Sequence, residues 1–247
     1  MAMAERAAGN LEALRRNTYP GRGLVLGQTP DGRRLVQLYW LMGRSENSRN
    51  RILVSERGSV RTAALDPARL RDPSLVIYRA LGVWADCHVV SNGDQTDTIL
   101  TALERGGSFQ QALRGRTFEP DAPNHTPRIS GLMRLGDPGA AYEISVLRAA
   151  GGDPACCLRC FYAYERARPG LGHCVTTYAG DGTPLPSFEG DPRPVPIPDD
   201  LAAAACLYWE ALHPSTRVAL VAKDIDLQSG ESRMRIINGQ EAAGPGA

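Results

Sequence analysis

Three polar stretches in this chain carry more chemistry than turns alone require. The first, Arg44-Ser45-Glu46-Asn47-Ser48-Arg49-Asn50-Arg51, interleaves arginines with hydroxyls and amides. Guanidinium forks beside such groups suit a phosphate, although an exposed charged loop has the same composition. The second, Ser91-Asn92-Gly93-Asp94-Gln95-Thr96-Asp97, follows an apolar strand and opens a helix. Backbone N–H groups at a helix start favour anions, and these side chains suit ribose hydroxyls or a heterocyclic amide. A plain helix cap is the other reading. The third, Glu119-Pro120-Asp121-Ala122-Pro123-Asn124-His125-Thr126-Pro127-Arg128, holds two carboxylates, an amide, a hydroxyl and a guanidinium in a loop stiffened by prolines. Rigid loops pre-organise catalytic groups; a structural turn would look the same.

Other chemistries leave no signature. The sequence contains no GxxxxGK[ST] or GxGxxG loop, no HExxH and no GxSxG,. His88, His125, His173 and His213 stand apart, so no metal site is expected. Cys157 and Cys160 form one CxxC within Cys156-Cys157-Leu158-Arg159-Cys160. It offers a redox pair or half a zinc site, but no second pair follows, and reduced, buried thiols are the expectation.

The elements that position these stretches follow from periodicity and turn chemistry. Residues 1–17 read as an N-terminal arm or short helix. Gly23–Gly27 and Arg34–Met42 read as a hairpin closed by Pro30-Asp31-Gly32, its second strand apolar on both faces and so buried. Strands are expected at Ile52–Val54, Leu75–Tyr78 and Trp84–Val90, and a helix capped by Thr96-Asp97 running to Glu104. A short helix fits Phe109–Leu113. Prolines forbid regular structure from Phe118 to Arg128. Strands resume at Ile129–Arg134, Tyr142–Leu147 and Leu158–Tyr164. His173–Tyr178 reads as one arm of a hairpin turning at Gly180-Asp181-Gly182, and Pro184–Pro198 as a surface loop. Asp199 or Asp200 caps a helix over Leu201–Leu212. Val218–Asp226 and Ser232–Asn238 make a last hairpin, with a disordered tail over residues 239–247. Many strands and few helices predict an α+β fold with antiparallel sheets covered by helices, and one domain over residues 18–238.

Composition bounds the function. Basic and acidic residues number 28 and 27, a net charge of +1, which argues against a general nucleic-acid or membrane surface. No apolar run reaches the roughly 20 residues needed to span a bilayer, and the first residues lack a signal-peptide core. A cytoplasmic protein is expected.

Four segments together resemble the archaeal-type IMP cyclohydrolase family, in a bacterial-type branch. They are Thr18-Tyr19-Pro20-Gly21-Arg22, Arg44-Ser45 with Asn50-Arg51, Val89-Val90-Ser91-Asn92-Gly93 with Thr96-Asp97, and Asn124 with Thr126-Pro127-Arg128-Ile129. The resemblance is strong over residues 18–150 and weak beyond. It implies a four-layer αββα sandwich like the N-terminal-nucleophile hydrolases, without autoprocessing. It implies dehydrative closure of a formamidoimidazole-carboxamide ribotide to IMP, with no metal or cofactor, in a homo-oligomer. On this reading Arg22, Arg44 and Arg51, assisted by Ser45 and Asn50, take the phosphate. Tyr19, Asn92, Asp94, Thr96, Asp97, Asn124, Thr126 and Arg128 hold base and ribose. Glu119, with Asp121 in reserve, takes a proton from the carboxamide, and Tyr78 donates one to the departing oxygen. An amide hydrolase using Thr18 as a freed N-terminal nucleophile, and a non-catalytic purine nucleotide-binding protein, are the alternatives.

Overall fold

The computed structural model describes residues 3–71, 73–137 and 139–240. Helix α1 (Met3–Arg16) buries Ala7, Leu11 and Leu14, one stripe at helical spacing,. Strands β1 (Gly23–Gln28) and β2 (Arg34–Met42) form the expected hairpin. Then come α2 (Glu46–Arg49), β3 (Arg51–Glu56), β4 (Ser59–Ala64), β5 (Arg79–Trp84) and β6 (Cys87–Ser91). Helices α3 (Gln95–Glu104) and α4 (Phe109–Leu113) precede β7 (Arg128–Arg134), β8 (Tyr142–Ala150) and β9 (Asp153–Tyr164). The chain continues through β10 (Leu171–Thr176), β11 (Arg193–Pro196), α5 (Leu201–Ala211), β12 (Arg217–Asp226) and β13 (Ser232–Asn238).

The strands form two antiparallel sheets in an α+β fold. One is six-stranded in the order β11-β10-β1-β2-β12-β13, the other seven-stranded from β3 to β9 in chain order. Alternation along β2 shows how they pack. Leu35, Tyr39 and Leu41 join a cluster with Leu53, Leu81, Val90, Ile129 and Ile144 of the other sheet. Val36, Leu38, Trp40 and Met42 point the other way, to Leu11 and Leu14 of α1 and Ala204, Ala205 and Tyr208 of α5. On the far side of the seven-stranded sheet, Val89, Leu132 and Leu147 pack on Ile99, Leu103, Phe109 and Leu113 of α3 and α4. Strand β2 is apolar on both faces because both faces are covered.

The structure departs from the sequence expectations at several points. Leu75–Tyr78 is not a strand: Val76 and Ile77 turn back to the Pro73 carbonyl, and β5 begins at Arg79. Helix α3 starts at Gln95, so Thr96 and Asp97 lie in its first turn instead of capping it. Strand β10 does not pair across the Gly180–Gly182 turn. Its partners are β1 and β11, and a single bridge, Tyr178 to Ser187, spans that turn. Strand β11 lies inside the proline-rich segment expected to be loop; as an edge strand it tolerates Pro194 and Pro196,. Asp200, not Asp199, caps α5 by accepting from the Ala203 N–H. Gly239 is held by the Val218 carbonyl at 2.8 Å, while residues 241–247 of the expected tail lie outside the described residues.

The cysteine cluster lies on β9. Residues three apart on a strand face opposite ways, so Cys157 and Cys160 form no local dithiol or half-site. Cys87 and Cys174 are buried as expected, whereas Cys156 and Cys206 are exposed. No helix among the described residues is long and apolar enough to cross a membrane.

Candidate active site

A cavity of about 380 Å³ opens where β1 begins, β2 ends and β3 begins. Its wall takes Tyr19 and Arg22 from the approach to β1, Arg44, Ser45 and Arg51 from the β2–β3 connection, and Glu119, Asp121, Asn124 and Thr126 from the proline-stiffened loop. Two of the three polar stretches, 44–51 and 119–128, thus converge on one space with the Tyr19–Arg22 segment, while the 91–97 stretch contributes none of its lining.

Its floor is a buried ion pair. Arg22 Nη1 and Nη2 donate to Glu119 Oε1 and Oε2 at 2.9 and 2.7 Å, and Nη1 also donates to the Asn92 carbonyl at 2.9 Å. Arg22 is 8% and Glu119 3% exposed. The carboxylate raises the guanidinium pKa further, against desolvation by burial, which is the largest influence and acts to lower it. Close to Arg22 lie the phenols of Tyr39 and Tyr78, whose oxygens are 2.6 Å apart. Burial, the Tyr78 oxygen and the hydrogen bond to it push Tyr39 well above the usual phenol range.

A hydroxyl chain lines the opposite wall. The Thr126 hydroxyl donates to Asp121 Oδ2 and so accepts from the Tyr178 phenol, 2.5 Å away,. Asp121 also accepts from the Thr126 N–H at 2.7 Å. Burial pushes the Tyr178 phenol up to about 12, so it keeps its proton at neutral pH. Its ring stacks on Tyr19 at 5.9 Å, and the Arg44 guanidinium lies over the other ring at 5.0 Å while pairing with Asp181. Gly21, at φ +71°, makes this stack possible: a Cβ there would stand 2.1 Å from Thr177 Oγ1 and 2.5 Å from the Tyr178 ring,.

Arg51 is buried with no carboxylate partner among the described residues. Its Nε and Nη2 donate to the Ser48 and Met42 carbonyls at 2.8 and 3.1 Å. Ser45 caps α2 by accepting from the Ser48 N–H. Asn124 accepts from the Leu185 N–H, and its Nδ2 has no partner among the described residues. Asn47 Oδ1 is buried and unbonded.

The sequence profile of the family described as "IMP cyclohydrolase-like protein" matches residues 19–230, a stretch containing every residue that lines this cavity. The chain belongs to the IMP cyclohydrolase-like family. It is also similar to the IMP cyclohydrolase of Methanopyrus kandleri, 35% identical over 115 residues that make up 45% of this chain and 57% of that protein. The aligned stretch thus spans little more than half the relative's length.

In this member of the IMP cyclohydrolase-like family, several sequence-selected residues do not line the cavity. Asn92 is wholly buried: its Nδ2 donates to the Pro127 carbonyl, and its Oδ1 accepts from Gln95 and the Ile129 N–H. Arg128 is bonded to Asp94 and Gln95, and Asp94 also pairs with Arg116. Thr96 bonds Ser91, Asp97 faces Arg79 on the surface, and Asn50 clamps both the N–H and the carbonyl of Asp66. These groups brace the loops behind the cavity. Tyr78 lies beneath it, with Leu75 and Val76 forming the adjoining wall.

Sequence reasoning missed Tyr178, Asn47 and Ser48 as lining residues. Asn47 and Ser48 lay inside a stretch already singled out. Tyr178 carried no local signal, since it arrives by strand pairing: Thr177 N–H and Tyr178 N–H donate to the Arg22 and Pro20 carbonyls. A larger cavity, about 800 Å³, lies beyond the β3–β4, β5–β6 and β12–β13 turns at the other end of the strands, away from these residues.

Proposed function

We propose that this chain closes the second ring of a purine nucleotide, converting 5-formamidoimidazole-4-carboxamide ribotide to IMP. The convergence of Arg22, Arg44, Arg51, Glu119, Asp121 and Thr126 on one cavity, within the family match, is the observation that supports this reading most.

In the reaction the carboxamide nitrogen bonds to the formyl carbon. The formyl oxygen then leaves as water, taking one proton from the carboxamide nitrogen and one from the formamido nitrogen. Both reacting groups belong to one molecule, so orientation supplies much of the acceleration. Arg44, Arg51 and Ser45 hold the phosphate, joined by Ser48. Asn124 Nδ2, which has no partner among the described residues, meets the amide or ribose. Glu119 takes the carboxamide proton, and Arg22 sets its orientation. Two phenols compete as donor to the departing oxygen: Tyr78, bonded to Tyr39 beneath the cavity, and Tyr178, which lines it. These residues supply acid, base and charge without a metal or cofactor.

The layering of helices outside two stacked sheets supports a four-layer αββα sandwich of the N-terminal-nucleophile hydrolase kind, with residues 18–238 as its single domain. The hydrolase alternative is the weaker one. Thr18 is exposed and does not line the cavity. Intact mass should show a chain that does not begin at Thr18.

Incubating the full chain with the formyl ribotide and following IMP by its ultraviolet absorbance tests the proposal. Absence of turnover, with IMP still bound in calorimetry, would leave the nucleotide-binding reading instead.

A further inference from the structure

Beyond the Met42–Gly43 bend lies a separate cavity of about 190 Å³ that the proposed reaction does not use. Arg49, Arg51 and Arg217 converge on it, with Trp209 as a wall. No aspartate or glutamate lines it among the described residues. Among the described residues Arg49 has no hydrogen-bond or ion-pair partner for its guanidinium. Arg217 lies over the Trp209 ring at 4.4 Å and donates Nη1 to the Trp209 carbonyl at 2.8 Å. The Trp209 carbonyl also accepts from the Leu212 N–H at the end of α5, and the other donors of Arg217 have no partner among the described residues. Arg51 is 5% exposed and spends Nε and Nη2 on backbone carbonyls, which leave its charge uncompensated among the described residues.

Elsewhere in this protein buried or half-buried arginines meet carboxylates: Arg22 with Glu119, Arg34 with Asp224, Arg128 with Asp94. Three guanidinium groups around one hollow, with no acid lining it among the described residues, repel one another, and a buried charge is costly unless paired,. A dianion removes both costs. Guanidinium forks match tetrahedral phosphate oxygens, and the volume suits a phosphate with a few waters, each needing roughly 30 Å³. It is too small for a nucleotide.

We propose that Arg49, Arg51 and Arg217 form a second anion site that takes a phosphate group, either free phosphate or the end of a phosphate monoester. Arg51 lines both cavities, so the two sites share one guanidinium.

Calorimetric titration of the full chain at low ionic strength, with inorganic phosphate and separately with ribose 5-phosphate, tests this. Arg49→Ala should weaken one binding event tenfold or more, and Arg217→Gln, which keeps an amide donor for the Trp209 carbonyl, should do the same. Arg44→Ala, at the other cavity, should leave that event unchanged. Ribose 5-phosphate binding more than tenfold tighter than phosphate at this event assigns a monoester; equal binding assigns the free ion. Folding is checked by melting temperature, and Arg49, exposed on a short helix, tolerates truncation. Parent-like binding of phosphate by both variants, or no binding by the parent at millimolar phosphate, overturns the proposal. Neither readout depends on turnover, so failure of the cyclohydrolase reading would appear separately.

Discussion

Arg22 and Glu119, 97 positions apart, meet fork to fork at 2.9 and 2.7 Å beneath the candidate active site. The sequence alone suggests a phosphate-binding arginine and a free carboxylate. The structure joins them, so neither can be altered without stranding the other.

Glu119→Gln should therefore do two things. Breaking a buried pair by removing one partner costs about 3–5 kcal/mol, so the variant should unfold at lower urea. Turnover should fall by about 10²–10⁴-fold, the usual range for a positioned acid or base. Replacing both partners, Arg22→Met with Glu119→Leu, should recover part of the stability and none of the activity. A double-mutant cycle in urea with near-zero coupling would refute the pairing.

Tyr178→Phe and Tyr78→Phe separate the two candidate donors. Tyr178→Phe leaves the Thr126–Asp121 bond in place and removes a phenol proton that rests on Thr126 Oγ1 and must turn to the departing oxygen if Tyr178 is the donor. Its turnover should fall about 10²-fold or more with IMP affinity nearly unchanged. If only Tyr78→Phe is slow, the donor lies beneath the cavity and Tyr178 is scaffold.

The two phosphate arginines should differ. Losing a charged hydrogen bond costs roughly 1.5–3 kcal/mol, so Arg44→Ala and Arg51→Ala should each weaken IMP binding about tenfold or more. Arg44 is half-exposed, so its loss should spare the melting temperature. Arg51→Ala also strips donors from the Ser48 and Met42 carbonyls and should lower it. Parent-like IMP binding by both variants in calorimetry would remove the phosphate assignment.

Lys223 gives a pH test. It is fully buried between the sheets, and its Nζ touches His88 Nδ1 at 2.8 Å. Burial lowers it from an ordinary 10.5 to about 8, and burial with the Lys223 charge lowers His88 to about 4. Between about pH 8 and 10.5 the unfolded chain holds the lysine proton and the folded one does not, so stability rises with pH. From about pH 8 to 9.5, below tyrosine ionisation, the gain should be roughly 2 kcal/mol at ~1.4 kcal/mol per unit. Lys223→Met should flatten that rise in urea unfolding. An unchanged slope would mean that Lys223 titrates normally. His88 acts in the same sense at lower pH: stability falls as pH drops from about 6.5 towards 4,.

Most of the secondary structure could be read from the sequence because its causes are local. The two-sided apolar run of β2 announced a strand covered on both faces. Pro120, Pro123 and Pro127 excluded regular structure from the loop that carries Glu119 and Thr126. Leu75–Tyr78 misled because its apolar residues form a cavity wall, which has no period of two. Strands β4 and β11 were missed because neither Ser59–Ala64 nor the prolines of Arg193–Pro196 show a strand pattern.

The sequence by itself determined which residue types were available and in which stretches: the arginines at 44–51, the acids at 119–121, the amides at 92 and 124. Only the tertiary structure decided which of them face open space. Asn92, Thr96 and Arg128 are polar residues in a suggestive motif, yet their hydrogen bonds are spent on Pro127, Ile129, Ser91, Asp94 and Gln95. Tyr178 shows no motif, yet the pairing of β10 with β1 places it on the wall. The reason is one of range. Propensity, periodicity and capping act over a few residues, whereas buried polar groups are satisfied by whichever partners the sheet register brings within about 3 Å. That register is set across separations such as the 153 positions between Gly23 and Thr176, which pair where β1 meets β10.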